Sequence, residues 1–456
     1  MERYDHIILG FGKGGKTLAG ALAAQGQRVA LVERSRQMFG GTCINVACIP
    51  TKFLEYSARQ SAAQGGSWEE RAERYRTAIV EKRKLTAGLR QKNYEKAAMA
   101  GVEVLVGVAS FLDSHRIMVE LEDGKTTELW GQQISINTGA RPYLPPIAGL
   151  EQSRFVFTSE TLMELEQLPR QLFILGGGYI GMEFASYFTN FGAQVTIVQD
   201  GPVVLPREDR EIAVAVLESM ERRGVRVLCN ASVQSVQDGP DGAIVTVRTE
   251  TGLETLQPQA VLVATGRRPN VKELQPTLAG VALTERGAIQ VNQRLQTSVP
   301  HIWAMGDVTG GQQFTYLSLD DSRIVKSQLL GDGTRTLQNR GVVPYSVFLD
   351  PPLSRVGLTE QEAREKGYAV KLAVLPAAAI PKAKILRQTT GLLKAVVDAK
   401  TDRLLGVHLF CAESHEMINE AKLVMDQELP YTVLRDTIFT HPTMSEAWND
   451  LFSSFR

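Results

Sequence analysis

Near its start the chain carries an apolar run, Ile7-Ile8-Leu9. It breaks at glycines 10, 12 and 15, then continues to a second apolar run, Val29-Ala-Leu-Val-Glu33. This pattern predicts a strand, a glycine turn, a helix and a second strand. Residues 173–199 repeat it, from Phe173-Ile-Leu-Gly176 through Gly178, Tyr179 and Gly181 to Val195-Thr-Ile-Val-Gln199. A constant offset of 166 carries Gly10 to Gly176, Gly12 to Gly178, Gly15 to Gly181, Gly26 to Gly192 and Glu33 to Gln199. One such glycine motif is weak evidence. Two copies that share helix length and strand end predict an α/β fold with two Rossmann-like dinucleotide-binding domains.

Each glycine has a task. The first allows the tight turn, the second lets backbone approach a pyrophosphate, and the third lets helix and strand pack closely. The pyrophosphate then sits on the helix N-terminus, where free N–H groups favour an anion. Glu33 is spaced to accept hydrogen bonds from a ribose diol. In the second copy Gln199 stands in its place, followed by Asp200, and the first cations after it are Arg207 and Arg210. A carboxylate would repel a 2′-phosphate and an amide would not. The sequence leaves NADH and NADPH open, with NADPH or dual use slightly favoured.

Ile134-Ser-Ile-Asn-Thr138-Gly139-Ala-Arg-Pro142 and Val261-Leu-Val-Ala-Thr265-Gly266-Arg-Arg-Pro269 are each a strand closed by Thr-Gly and a proline. They predict the crossings between domains. The expected layout is a first nucleotide domain over 1–148, a second over 149–271, a return to the first over 272–340, and a C-terminal domain over 341–456. The charged stretch 69–96 predicts a solvated helix.

Composition narrows the class. At 43% hydrophobic and 22% charged residues the chain is neither disordered nor a coiled coil. Fifty Lys+Arg balance fifty Asp+Glu, so no net field draws it to nucleic acid or to an anionic membrane. No apolar run reaches the ~18 residues of a membrane span, and the periodic pattern leaves no room for a signal peptide. Four cysteines point to a reducing cytoplasm, where a paired Cys serves chemistry rather than structure.

One such pair stands out in Gly41-Thr42-Cys43-Ile-Asn-Val-Ala-Cys48-Ile-Pro50-Thr-Lys52. In a regular helix, Cα atoms five residues apart are separated by roughly 8 Å, and a disulfide tolerates at most about 7 Å. Either the pair is unbridged or the intervening backbone is irregular. Pro50 suits the first turn of a helix, which puts Cys48 at a helix N-terminus, where the dipole favours a thiolate and Lys52 adds a cation. So short a loop gains only about 2 kcal/mol from a disulfide, which suits redox cycling better than stapling. No second Cys/His pair follows at zinc-finger spacing, so no metal site is predicted. Cys229 and Cys411 are isolated and are expected to be buried core thiols.

With these motifs, together with Ala304-Met-Gly306-Asp307 and His441-Pro-Thr-Met-Ser445-Glu446, the chain resembles the pyridine nucleotide-disulfide oxidoreductases over essentially its whole length. These are homodimeric flavoenzymes that include glutathione, dihydrolipoamide and mercuric reductases. The resemblance implies FAD in the first fold, NAD(P)H in the second and a C-terminal α+β dimerisation domain. It implies that Cys48 lies against the flavin and Cys43 exchanges with substrate, and that Asp307 holds the ribityl hydroxyls. Thr42, Thr138, Gly139 and Gly266 join the cofactor-binding residues. Tyr179 would gate the nicotinamide face, Lys52 and Glu183 would pair near the flavin N5, and His441 with Glu446 would serve as acid and base across a two-fold interface.

The tail Asn449-Asp-Leu-Phe-Ser-Ser-Phe-Arg456 lacks the cysteine pair of mercuric reductases and the redox extension of large thioredoxin reductases. Soluble transhydrogenases of this fold lack the Cys43–Cys48 pair. Phe314-Thr-Tyr-Leu-Ser-Leu-Asp-Asp321, Ala379-Ile-Pro-Lys-Ala383 and Ser414-His-Glu-Met-Ile-Asn419 are similar to the bacterial reactive-chlorine-resistance flavoreductases, a group associated with reducing hypothiocyanous acid. The expected function is electron transfer from NAD(P)H through FAD and the cysteine pair to a small oxidant. The alternatives are a dihydrolipoamide dehydrogenase-like activity, mercuric or cupric reduction, and a flavin sensor without turnover.

Overall fold

In the computed structural model, which describes residues 1–455, the two glycine motifs open two parallel sheets. In the first, the strand Glu2–Leu9 lies between Val29–Glu33 and Thr126–Ile136, all parallel, with Leu9 beside both Val32 and Ile136. Glu103–Phe111 extends the sheet beyond Val29–Glu33, and Ile302–Ala304 returns from late in the chain to pair with Ile134–Ile136. Arg116–Leu121 joins Glu103–Phe111 to Thr126–Ile136 as an antiparallel meander. In the second sheet Gln171–Leu175 lies between Gln194–Val198 and Ala260–Val263, with Arg226–Leu228 and Val156–Thr158 outside them. Strands buried on both faces read as continuous apolar runs, which explains the uninterrupted Ile7-Ile8-Leu9 and Phe173-Ile-Leu.

The turns repeat as the sequence does. Gly10 and Gly176 adopt φ of +108° and +111°, which only glycine enters freely. A Cβ on Gly10 would stand 2.3 Å from the Asn137 carbonyl oxygen. The helices Lys13–Ala23 and Tyr179–Phe191 each start three residues later. The two Thr-Gly-x-x-Pro segments meet: Ala140–Pro142 pairs antiparallel with Arg267–Pro269, so the chain leaves and re-enters the first sheet side by side.

Residues beyond 340 build an antiparallel five-stranded sheet in the order Tyr345–Val347, Leu353–Gly357, Leu404–Phe410, Leu392–Asp398, Val370–Pro376. The helices Ser414–Asp426 and Ala447–Leu451 close a core around Trp448, Leu393 and Val407.

The charged stretch departs from expectation. The helix Trp68–Met99, opened by a Ser67/Glu70 capping box, buries Tyr75, Ala78, Ile79 and Lys82 along one side. This stripe at three- and four-residue spacing faces a core shared with Phe188 and Phe191. Lys82 is held there by the Met163 carbonyl at 2.7 Å and by Glu164. Only the remaining sides of the helix are solvated. Among the described residues no helix is long and apolar enough to cross a membrane.

Candidate active site

A cavity of about 340 Å³ opens at the C-terminal edge of the first sheet. Gly10, Gly12, Glu33, Thr42, Thr138, Gly139 and Asp307 line it, and so does Cys43. Gly15 lies behind the turn and donates its N–H to Asn137 Oδ1 at 2.8 Å. Gly41 passes so close to Gly12 that a Cβ would meet the Gly12 Cα at 2.5 Å. The cradle is bare backbone at a helix N-terminus, as a pyrophosphate requires. Glu33 Oε2 accepts the Phe11 N–H at 2.9 Å, and burial pushes its carboxyl up to about 7. Burial also raises Asp307, against the nearby Arg267. A buried acid and a half-buried one beside an anion-binding turn match the sugar and ribityl hydroxyls of a flavin dinucleotide, so the residues fit FAD.

Asn137 and Ser318 escaped the sequence reading. Asn137 Nδ2 donates to the Met305 carbonyl at 2.7 Å and to Ser318 Oγ at 3.2 Å, and Ser318 accepts the Gly14 N–H at 3.2 Å. Together they tie the glycine turn to the returning segment 305–318. The position of Asn137, directly before Thr138-Gly139, was the available signal.

The backbone between the cysteines is irregular. A single turn, Thr42–Asn45, ends at Val46. Ala47, at φ −144° and ψ −103°, then redirects the chain into the helix Cys48–Gln64. This break brings two free thiols into hydrogen-bond contact despite their spacing. Thr315 Oγ1 lies 3.3 Å from Cys48 Sγ. The pair shares its protons unequally. Cys43 is pulled down to about 6, chiefly by the hydrogen bond from Cys48, with Thr315, Lys16 and Lys52 helping and burial opposing. The same bond and burial push Cys48 up. Contact between the thiols favours ionisation of Cys43 with Cys48 as donor. Lys16, also missed in the sequence, is half-buried beside Asn93 Oδ1 at 2.6 Å and adds positive charge near Cys43.

Lys52 and Glu183 do meet. Lys52 Nζ lies 2.9 and 2.8 Å from the two carboxylate oxygens, which joins the cysteine-bearing helix to the helix of the second nucleotide fold. Glu183 also accepts the Phe348 N–H at 2.8 Å.

At the second turn Gln199 repeats the contact of Glu33. Its Oε1 accepts the Gly177 N–H at 2.8 Å, while its Nε2 donates to Asp200 Oδ1 at 2.9 Å. Gly178 and Gly181 flank the start of the helix, with Gly181 packed on the Gly176 carbonyl. Gly266, at φ +115°, has open space around it. The Tyr179 hydroxyl donates to Glu208 at 2.7 Å.

His441 is on the C-terminal loop. Its Nδ1 is 2.7 Å from Glu446 Oε2, and its side chain is 71% exposed while that of Glu446 is 16% exposed. Cys411 is buried as expected, and burial raises its thiol. Cys229 corrects the expectation: it is only partly buried, because it follows the edge strand Arg226–Leu228.

The sequence profile of the pyridine nucleotide-disulphide oxidoreductases matches residues 4–324, and that of their dimerisation domain matches 343–452. The chain is 49% identical to the probable pyridine nucleotide-disulfide oxidoreductase RclA of Escherichia coli, over 99% of both chains. It is 35% identical to a dihydrolipoyl dehydrogenase of Mycobacterium tuberculosis, over 99% of this chain and 98% of that one. The solved structure of the HOCl-induced flavoprotein disulfide reductase RclA from Escherichia coli superposes with a TM-score of 0.92 at 48% identity, over 99% of each chain. On this evidence the chain belongs to the pyridine nucleotide-disulphide oxidoreductase family and is a flavoprotein disulfide reductase dependent on FAD and NAD(P)H.

Proposed function

We propose that this reductase defends a bacterial cytoplasm against a small electrophilic oxidant, most directly hypothiocyanous acid or a related reactive chlorine species. The observation that carries the reading is the pair of free thiols in contact at the head of the helix Cys48–Gln64, with Thr315 Oγ1 3.3 Å from Cys48 Sγ, an arrangement that lowers the Cys43 thiol while Cys48 acts as donor. Cys43 reacts as its thiolate. It attacks the sulfur of hypothiocyanous acid, the S–O bond breaks, and hydroxide leaves as water with a proton from the acid–base group. Cys48 then attacks the Cys43 sulfur, loses its proton, expels thiocyanate and closes the disulfide. FAD supplies the two-electron relay by which NAD(P)H restores the dithiol. Gly10, Gly12, Glu33, Thr42, Thr138, Gly139 and Asp307 would hold it, and Lys52 with Glu183 would set the charge beside its ring. Gly176, Gly178, Gly181, Gln199 and Gly266 would hold the coenzyme, with Tyr179 covering the nicotinamide site. His441, oriented by Glu446, moves the protons for the partner subunit's thiols in a homodimer.

A panel of acceptors run with NADH and NADPH tests this. Hypothiocyanous acid is expected to give the highest kcat/KM, above lipoamide, glutathione disulfide, Cu(II) and Hg(II), and dihydrolipoamide should not support NAD⁺ reduction. Fast dihydrolipoamide oxidation would replace this reading with the dehydrogenase one.

Coenzyme choice gives a second expectation. Gln199→Glu places a second carboxylate beside Asp200, facing the ribose. Two charges about 4 Å apart interact by about 4 kcal/mol at an effective dielectric of 20, less after screening. The ratio of kcat/KM for NADPH to that for NADH should fall by at least about tenfold. An unchanged ratio would mean that the adenosine ribose is read elsewhere.

A further inference from the structure

Arg207, Glu208 and Asp209 end the loop that joins the strand Gln194–Val198 to the helix Arg210–Arg222 within the second nucleotide fold. Each is gripped by a different strand of the C-terminal sheet. Arg355 donates to the Arg207 carbonyl. Tyr345 donates to Glu208 Oε1 at 2.6 Å. Lys394, 2% exposed, donates to Asp209 Oδ1 at 2.9 Å. Glu208 is buried, and the oxygen that receives Tyr345 also receives the Tyr179 hydroxyl at 2.7 Å. The two tyrosine hydroxyls are 3.1 Å apart and their ring centroids 5.6 Å apart. Glu208 Oε2 is buried without a hydrogen-bond partner among the described residues, so the hydrogen bonds of this carboxylate fall on the two tyrosines. Tyr179 is the first residue of the helix on the second glycine turn. Its hydroxyl is thus fixed by a carboxylate that the C-terminal domain itself fixes.

We propose that Glu208 is a positioning residue for the coenzyme: it latches Tyr179 in its resting place, and Tyr345 of the C-terminal sheet sets the latch. The inference rests on the reading of Tyr179 as the side chain that covers the nicotinamide site. A nicotinamide ring entering that site must displace the tyrosine, and the hydroxyl must then leave Glu208. The apparent coenzyme affinity is the intrinsic affinity reduced by the fraction of molecules already open. A charge-assisted hydrogen bond in the closed form lowers that fraction. Through Tyr345, Arg355 and Lys394, the latch is present only when the C-terminal sheet is docked on the second nucleotide fold.

The test is anaerobic stopped-flow reduction of the FAD-loaded enzyme, with the Kd for NAD(P)H taken from saturation of the reductive phase. Glu208→Gln keeps the shape and replaces a charged acceptor with a neutral one. It should lower that Kd about fivefold, with the reoxidation rate of the dithiol by the acceptor unchanged. In a Tyr179→Phe background the same substitution should be silent, because Glu208 acts through the tyrosine hydroxyl. If Glu208→Gln does not accumulate as FAD-loaded protein, Tyr345→Phe should shift the Kd in the same direction. An unchanged or raised Kd in Glu208→Gln overturns the latch while Tyr179 keeps its role, and so does an equal shift in both backgrounds. A Tyr179→Ala enzyme with a wild-type reductive phase removes the reading of Tyr179, and the latch with it.

Discussion

Cys48→Ser and Cys43→Ser enzymes are each expected to load FAD, to be bleached by NAD(P)H, and to turn over no disulfide or electrophilic acceptor above background. They should differ in spectrum. The wild-type pair carries one readily lost proton, because ionised Cys43 accepts from Cys48. Removing Cys43 removes the acceptor that keeps Cys48 protonated. Cys48 then stands alone at the start of the helix Cys48–Gln64, with Thr315 Oγ1 at 3.3 Å and the positive charge of Lys52 nearby. The reduced Cys43→Ser enzyme should therefore keep a long-wavelength thiolate–flavin absorbance, and Cys48→Ser should lose it. The reverse pattern would exchange the roles of the two sulfurs. Alkylation of the reduced wild-type enzyme by iodoacetamide adds a pH signature. The Cys43 pKa is depressed from the ordinary thiol value of 9.0 to about 6, so the reactive thiolate should be fully present above that value and vanish as pH falls through it. A midpoint near the ordinary thiol value would remove the shared-proton account.

The nucleotide folds were legible because their physics is local. A turn with Gly10 or Gly176 at positive φ leaves a glycine in the sequence, and a strand buried on both faces leaves an apolar run. The Lys52–Glu183 pair was legible only through resemblance, since no spacing joins residues 131 positions apart; His441 and Glu446 lie five positions apart, and their roles too came from the resemblance. Sequence reasoning reached the irregular backbone as one of two options, and Ala47 resolved it. It could not assign the proton between the two thiols, because that depends on side chains meeting across the break. Asn137, Ser318, Lys16 and Glu208 were missed for a common reason. Each acts by a hydrogen bond or charge to a segment distant in the chain, such as Gly15, Gly14, Cys43 or Tyr345. The buried side of the helix Trp68–Met99 was masked by charge: Tyr75, Ala78, Ile79 and Lys82 form a stripe, but lysines, arginines and glutamates dominate the window.

His441→Ala should cost about 10²–10⁴ in turnover, and its rescue by subunit mixing should reveal where the site is built. A disulfide reductase protonates a departing group and deprotonates an attacking thiol, so it needs a side chain whose ordinary pKa lies near neutrality, as that of histidine does. Glu446, largely buried beside an exposed imidazole, fixes the ring orientation through Nδ1 and leaves Nε2 for the proton transfer. Within one chain His441 and the thiols sit on separate elements, the first on the C-terminal loop and the others at the first nucleotide turn. Ile438, three residues before His441, is 97% exposed. Each of the Cys48→Ser and His441→Ala enzymes should be nearly inactive alone. After an equal mixture is dissociated and reassociated, half the dimers are mixed. With shared sites, each mixed dimer holds one intact thiol pair facing one intact histidine. About a quarter of wild-type activity should then return, by random pairing on a two-fold dimer. If each site is built within one chain, every site in the mixture keeps a defect and no activity returns. That result, with exchange verified by tagged subunits, would confine His441 to its own chain and remove the catalytic reason for the dimer.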